Sequence, residues 1–345
     1  MKRDRKPIAI DLFAGCGGLT TGLKQAGFSV IGAVEIEPVA VETYSKNHRN
    51  VRVWARDIRA IAPRELLETL KIKPGELDLL AGCPPCQGFS KMTERLRRGS
   101  RKSDSRNDLV LEFLRFVRAM RPRSLMLENV PGLLHDPRFR NLTEQLYRLG
   151  YACHSAVLDA ADYGVPQRRN RLILVGGRAG PVPFGRSTTK AVTVFDAFKE
   201  LDRLAKDDIL HNLPEFRSTK IKNLIRKIPR NGGSRVALGA RQQLQCHRKC
   251  NGFKDVYGRM AWRNVSPTIT CGCVNPSKGR FLHPTKNRAI TLREAAVLQS
   301  FPLSYYFSLR RGKYFAAQMI GNALPPEFIR RHALAIRRYL ESTHN

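Results

Sequence analysis

A cysteine placed behind two prolines is the most pointed chemical feature of the chain. Gly82 to Ser90 reads Gly-Cys-Pro-Pro-Cys-Gln-Gly-Phe-Ser and follows an apolar run that ends at Ala81. Proline fixes φ, so the pair stiffens the turn and presents Cys86 rigidly at the end of a strand. In open α/β sheets that carboxyl edge is where ligands bind. Cys83 and Cys86 have C-x-x-C spacing, which redox centres and zinc sites also use. No second pair lies nearby and an internal Pro-Pro is unlike a redox centre, so both readings are disfavoured; a buried structural cysteine stays open. Glu128 closes a second apolar run, where an acid can move protons or simply cap the next helix. Arg169 and Arg171, within Gln167-Arg-Arg-Asn-Arg171, can grip an anion or a base through forked hydrogen bonds, or form a basic surface cluster.

A ligand loop precedes these residues. Asp11-Leu-Phe-Ala-Gly-Cys-Gly-Gly18 follows an apolar run and opens a helical segment. Phe13, Ala14, Gly15, Cys16, Gly17 and Gly18 form its turn, where glycines allow close backbone approach and the helix start favours negative charge. Dinucleotides, flavins and S-adenosylmethionine all use such turns, and a tight turn without a ligand remains open. Glu35, followed by Ile36, stands at the end of the next strand, where an acid can accept from ribose hydroxyls. Asp57 and Ile58 suit an adenine amino group and its apolar face; an ordinary exposed acid is the alternative reading of either carboxylate.

The elements that must position these groups alternate. Strands are expected at Pro7 to Phe13, Phe28 to Glu35, Leu77 to Ala81, Ser124 to Leu127, Tyr151 to Leu158 and Arg171 to Gly177, with helices at Gly18 to Ala26, Pro38 to Asn47, Asn107 to Met120 and Arg138 to Leu149. The alternation predicts an α/β, doubly wound, mainly parallel sheet with helices on both faces. The last two strands, joined only by a loop, are expected as an antiparallel hairpin at one edge. After Gly177 the pattern becomes irregular and basic: Arg178 to Met260 has 18 Lys or Arg against 7 Asp or Glu. We read three segments: a catalytic and cofactor-binding domain over 1–178, a second, smaller domain over 179–285, and a return segment over 286–345 that completes the first. In the last, helices are expected over Leu-Arg-Glu-Ala-Ala-Val-Leu-Gln near Thr291 and over Pro326 to Leu340.

Composition narrows the partners. The chain has 345 residues, 61 Lys and Arg, 29 Asp and Glu, and a net charge of +32. That surplus points to a polyanion, nucleic acid before anionic membrane. No apolar stretch is long enough for a membrane span and no secretory signal pattern is present. The eight cysteines follow no secreted disulfide framework, so a cytosolic chain is expected. Cys246, His247, Cys250, Cys271 and Cys273 have spacings that match no common zinc motif, and no metal is expected.

The motifs, taken in order, resemble one family. Pro84-Pro-Cys-Gln-Gly-Phe-Ser90 is similar to the catalytic motif of the DNA (cytosine-5)-methyltransferases, and Phe13 to Gly18 to their cofactor loop. Glu128-Asn-Val130 and Gln167 to Arg171 resemble their second catalytic and arginine motifs, and Arg293-Glu-Ala-Ala-Val-Leu-Gln-Ser-Phe-Pro302 and Gly321-Asn-Ala-Leu-Pro-Pro326 their closing motifs. The resemblance implies S-adenosylmethionine as methyl donor, held by the loop with Glu35, Ile36, Asp57, Ile58, Pro85, Leu109 and Asn322. It implies Cys86 as a thiolate that adds to C6 of a flipped-out cytosine, with Glu128 at N3 and the exocyclic amine and Arg169 and Arg171 holding the base and nearby charge. It implies a target-recognition domain in the basic middle region, where Pro267-Thr-Ile-Thr270 resembles a segment that contacts DNA. Gln87, Ser90, Lys91, Arg97, Arg98, Arg101, Thr268 and Thr270 are the DNA-binding candidates, and Lys91 to Arg106, with seven Lys or Arg against two acids, suits a loop that closes over the site. Double-stranded DNA is the expected partner of a monomeric, prokaryotic, sequence-specific enzyme, with a cognate restriction endonuclease as a companion. The same chemistry on transfer RNA and a catalytically silent DNA-binding protein are the alternatives.

Overall fold

The computed structural model describes residues 5–85, 108–204, 206–239, 242–248 and 254–343. Cys86, Gln87, Ser90, Lys91, Arg97, Arg98, Arg101 and Cys250 lie outside the described residues.

The chain forms two compact units: Met1–Tyr163, Asn170–Ser187 and Pro326–Asn345 make the first, and Gly164–Arg169 with Thr188–Pro325 the second. The chain rejoins the first unit at Pro326, later than the expected 286. The six residues Gly164–Arg169 side with the second unit because their hydrogen bonds lie there. The Gln167 side chain donates to the carbonyl of Leu298 and to Gln299 Oε1 and accepts from the Ile269 amide.

The first unit holds a seven-stranded sheet. Its elements run β1 (Ile8–Leu12), α1 (Gly18–Gln25), β2 (Ser29–Val34), α2 (Pro38–Asn47), β3 (Arg52–Trp54), α3 (Pro63–Leu70), β4 (Leu79–Gly82), α4 (Leu109–Met120), β5 (Ser124–Asn129), α5 (Pro137–Arg148), β6 (Ala152–Asp159) and β7 (Asn170–Gly177). The strand order is β3-β2-β1-β4-β5-β7-β6. β1, β2, β3, β4 and β5 pair in parallel, whereas β7 is antiparallel to both β5 and β6. The expected hairpin is therefore present, with its second strand inserted beside β5. All residues of β1 and β4 are buried, which is why these strands read as near-continuous apolar runs, broken only by Asp11 in β1, rather than as an alternation. Beneath them, α4 buries Leu109, Val110, Phe113, Leu114, Phe116, Val117 and Met120, the single stripe of a helix seated on a sheet.

Register aligns the ends that matter. Leu12 lies opposite Val34 and Gly82, and Gly82 lies opposite Leu127. The loops after β1, β2, β4 and β5 thus leave one edge together, and the order reverses between β1 and β4, the switch point where such sheets bind ligands. Since β7 runs the other way, its first residues reach that same edge: Glu128 faces Ile173 and Asn129 faces Leu172.

The second unit contains α6 (Val194–Lys199), α7 (Ile209–Asn212), α8 (Thr219–Lys227), α9 (Gln245–Arg248), α10 (Leu292–Leu298) and α11 (Gly312–Asn322). One of its apolar clusters gathers Leu224, Ile225, Ile228, Leu238, Tyr257 and Leu282. Threaded against it is Arg259, fully buried, whose guanidinium donates to the carbonyls of Ile225, Ile228, His283 and Lys286 and to Asn287 Oδ1. α10 begins with a capping box between Thr291 and Glu294. The last helix, α12 (Pro326–Ser342), belongs to the first unit and buries Phe328, Ile329, His332, Ala333, Ala335, Ile336, Tyr339 and Leu340. No helix among the described residues is long and apolar enough to cross a membrane.

Candidate active site

Glu128 stands at the centre of the sheet edge, only 3% exposed. Both of its oxygens are engaged. Arg171 Nε lies 2.8 Å from Oε1, and the Cys83 thiol donates to Oε2 at 2.6 Å. The antiparallel course of β7 produces the first contact, because it brings the start of that strand beside the end of β5. The second comes from the residue just after β4. The next residues are tied down as well: Asn129 Nδ2 donates to the Pro84 carbonyl at 3.0 Å. The β4 tail that leads into Cys86 is thus fastened to the end of β5 at two adjacent residues.

The two arginines of one motif separate. Arg171 serves Glu128, whereas Arg169 is buried in the second unit. There its Nη1 and Nη2 donate to the carbonyls of Ile269 and Gly321, each at 2.9 Å. Thr268 Oγ1 donates to the Arg168 carbonyl. A Cβ on Gly321 would sit 2.3 Å from the Thr270 carbonyl carbon, so only glycine lets α11 approach this segment so closely. Asn322 Oδ1 accepts from the Cys271 thiol at 3.0 Å. Cys273 is fully buried, and burial pushes its thiol up to about 12. Among the described residues no group of three or more His, Cys, Asp or Glu is arranged to hold a metal.

The loop after β1 is built for close approach. Phe13, Gly15 and Gly17 all have positive φ, and a Cβ on Gly15 would meet nothing within 4 Å. Its amide donates to Glu35 Oε2 at 2.7 Å, while the Ile36 and Glu37 amides donate to Oε1. Glu35 is thereby fixed between the loop and the end of β2. Burial raises its carboxyl above the usual range, against the pull of those amides. Ile36 is 59% exposed, an apolar side chain left beside that acid. Cys16 faces inward, its thiol pushed up to about 12 by burial, which makes it inert. Asp57 accepts from the Arg59 amide and pairs with the Arg59 guanidinium, which holds its carboxyl below the usual range. Ile58 and Leu109 lie in the core of the sheet unit, and Pro85 is half-buried.

Beneath the loop lies an acid that sequence reading passed over. Asp11 is fully buried, and Thr20 Oγ1 donates to its Oδ2 at 2.7 Å. Oδ1 finds no hydrogen-bond partner among the described residues. Burial raises this carboxyl to about 7. A carboxyl so raised binds its proton more tightly folded than unfolded, so its contribution is complete in acid and fades as pH rises through about 7. Thermal unfolding of the parent should therefore lose roughly 4 kcal/mol between about pH 4 and 8 that Asp11→Asn does not lose. Parallel pH dependences for the two proteins would show that Asp11 does not titrate in this way. A further surface legible only in three dimensions is a cavity of about 350 Å³ in the second unit, lined by Glu215, Arg217, Lys222, Ile225, Arg226, Asn287 and Arg288.

Comparison with known proteins places this geometry. The pattern of the C-5 cytosine-specific DNA methylase family matches residues 8–338. Type II methylase M.HgiDII of Herpetosiphon aurantiacus is 35% identical, over 97% of this chain and 96% of that protein. Type II methyltransferase M1.HphI of Haemophilus parahaemolyticus is also 35% identical, over 92% and 83%. Among solved structures, an E. coli prophage-encoded protein described as a DNA modification methyltransferase superimposes with a TM-score of 0.69 at 25% identity, covering 97% of this chain and all of that one. Spodoptera frugiperda DNMT2 shares the fold, with a TM-score of 0.62 at 18% identity over 96% of this chain and all of that one. With its glycine loop, edge acid and buried Glu128–Arg171 pair on one sheet, the chain belongs to the C-5 cytosine-specific DNA methylase family and is a DNA (cytosine-5)-methyltransferase.

Proposed function

We propose that the protein methylates C5 of a flipped-out cytosine within a fixed sequence of double-stranded DNA, through a covalent adduct between Cys86 and C6. The observation that carries this reading is the buried Glu128–Arg171 pair at the edge where the Cys86 turn begins. Cytosine C5 is a poor nucleophile. Addition of the Cys86 thiolate to C6 opens the C5=C6 double bond and makes C5 enamine-like. Glu128 holds N3 and the exocyclic amine while charge moves into the ring, and Arg171 keeps that acid in place. After methylation the C5 proton leaves to water or hydroxide, the C6–S bond breaks by β-elimination, and the double bond returns.

The residues after β1 and β2 fit S-adenosylmethionine. Open space at Gly15 admits a ligand against the backbone, Glu35 offers carboxylate lone pairs to ribose hydroxyls, and exposed Ile36 offers an apolar contact. Bound there, the group supplies the methyl that C5 accepts. Asp57, paired with Arg59 in the free protein, would exchange that partner for the adenine amino group. In the second unit, Arg169 acts through the carbonyls it holds, steadying the segment that carries Thr268 and Thr270. The relatives' Type II names favour a restriction-modification role with a cognate endonuclease.

A duplex library carrying 5-fluorocytosine tests this reading, since fluorine at C5 blocks elimination and leaves the protein covalently attached. Denaturation-resistant complexes should form only with donor present, and bisulfite sequencing of DNA from expressing cells should place 5-methylcytosine in one context. Absence of both the complex and the modified base would overturn the proposal.

A further inference from the structure

Three features meet in one small volume: the Cys83 thiol, the Glu128 carboxylate and the Arg171 guanidinium. Sγ lies 2.6 Å from Oε2 and Nε lies 2.8 Å from Oε1. The last torsion of a glutamate is broad and weakly preferred. One contact from Arg171 fixes the position of the group but leaves its plane free to turn. A second donor on the other oxygen removes that freedom. Cys83 is anchored for the task, because its amide donates to the Leu12 carbonyl at 3.1 Å and the following Pro84 carbonyl is held by Asn129. Its thiol is thus placed by a backbone contact to β1 and a side-chain contact from the end of β5.

We propose that Cys83 is a positioning residue for methyl transfer, its thiol holding Glu128 Oε2 so that the carboxylate meets the target base in one orientation. The inference rests on the role given to Glu128 above. It also gives the C-x-x-C spacing a meaning apart from redox or zinc chemistry: Cys86 attacks, and Cys83 orients the acid. A hydroxyl can replace the thiol as donor, whereas a methyl group cannot.

The test is single-turnover trapping on 5-fluorocytosine DNA with the full chain. Cys83→Ala should slow adduct formation roughly ten- to hundredfold, the range for a lost hydrogen bond to a charged group, with the KM for the methyl donor unchanged. Cys83→Ser should recover most of the rate. An infrared difference spectrum, parent minus Cys83→Ser, should show an S–H stretch lowered from that of a free thiol, and Glu128→Gln should shift it back. A free-thiol frequency in the parent overturns the inference whether or not the alanine variant folds. So does an alanine variant that traps at the parental rate while Glu128→Gln fails to trap, and that outcome leaves the proposed function standing. Trapping by Glu128→Gln at the parental rate would instead overturn the role of Glu128, and this inference with it.

Discussion

Cys86→Ala is expected to lower methyl transfer by at least on the order of 10⁴-fold, the scale on which loss of a covalent nucleophile is felt, while DNA and donor binding change only slightly. The reason is electronic. Without addition at C6, C5 has no electron pair to offer the methyl group. Cys83 is the nearest alternative thiol in sequence, but its S–H is donated to Glu128, in a contact that holds the acid rather than frees the sulfur. The comparison that decides is single-turnover transfer of a labelled methyl group, run beside filter binding to the same duplex. Turnover at the parental rate would remove Cys86 from the mechanism. Loss of both binding and transfer would point to misfolding, and Cys86→Ser would then be used to separate the two.

Arg259→Met should be the most damaging single change in the second unit. Methionine keeps much of the stem's bulk but donates nothing. Four backbone carbonyls and Asn287 Oδ1 lose this donor. Lys286 and Asn287 are exposed and the Ile225 carbonyl keeps the Ile228 amide, so at about 1–3 kcal/mol for each of the two buried carbonyls left unsatisfied, Ile228 and His283, the loss is about 2–6 kcal/mol. That is a large part of the stability of an ordinary domain. Calorimetry should show the second unit melting well below the parent, with DNA binding lost and donor binding to the sheet unit kept. An unchanged melting profile would mean that water replaces the guanidinium without cost.

Arg259 also shows where sequence reading stopped. It is one of the 18 basic residues between Arg178 and Met260, a surplus that suits a polyanion. Charge counts cannot tell an arginine facing solvent from one threaded through a core, because the carbonyls that receive it come from Ile225, Ile228, His283 and Lys286, remote in sequence. β1, β2, β4 and β5 were legible because strands buried on both faces leave continuous apolar runs. β3 was not, since Arg52–Trp54 is too short to carry a pattern. α3 is faint for a like reason: Pro63 starts it, but only Leu66 and Leu67 of its eight residues are buried. At the edge, the motifs named Glu128, Arg169 and Arg171 but gave both arginines one task. Two residues apart, they fall in different units, because Arg171 has entered β7 and Arg169 has not. The Cys83–Glu128 contact spans 45 positions, and no spacing rule within the C-x-x-C motif reaches that far.

The reversed course of β7 has a consequence for how this gene can drift. Side chains on a strand alternate between faces, so a slip of one residue turns every one of them over. Arg171 meets Glu128 only while Ile173 stays opposite it. A single-codon deletion or insertion between Asn170 and Gly177 would point the arginine away from the acid, although every other motif would still read correctly. Conservative exchanges along the same eight residues keep the frame of the pairing. Apart from Arg171, Gly176 and Gly177, where a partner or a close approach fixes the residue, the segment is thus permissive to conservative point changes and closed to length changes, so descendants of this sequence can vary there in letter but not in number.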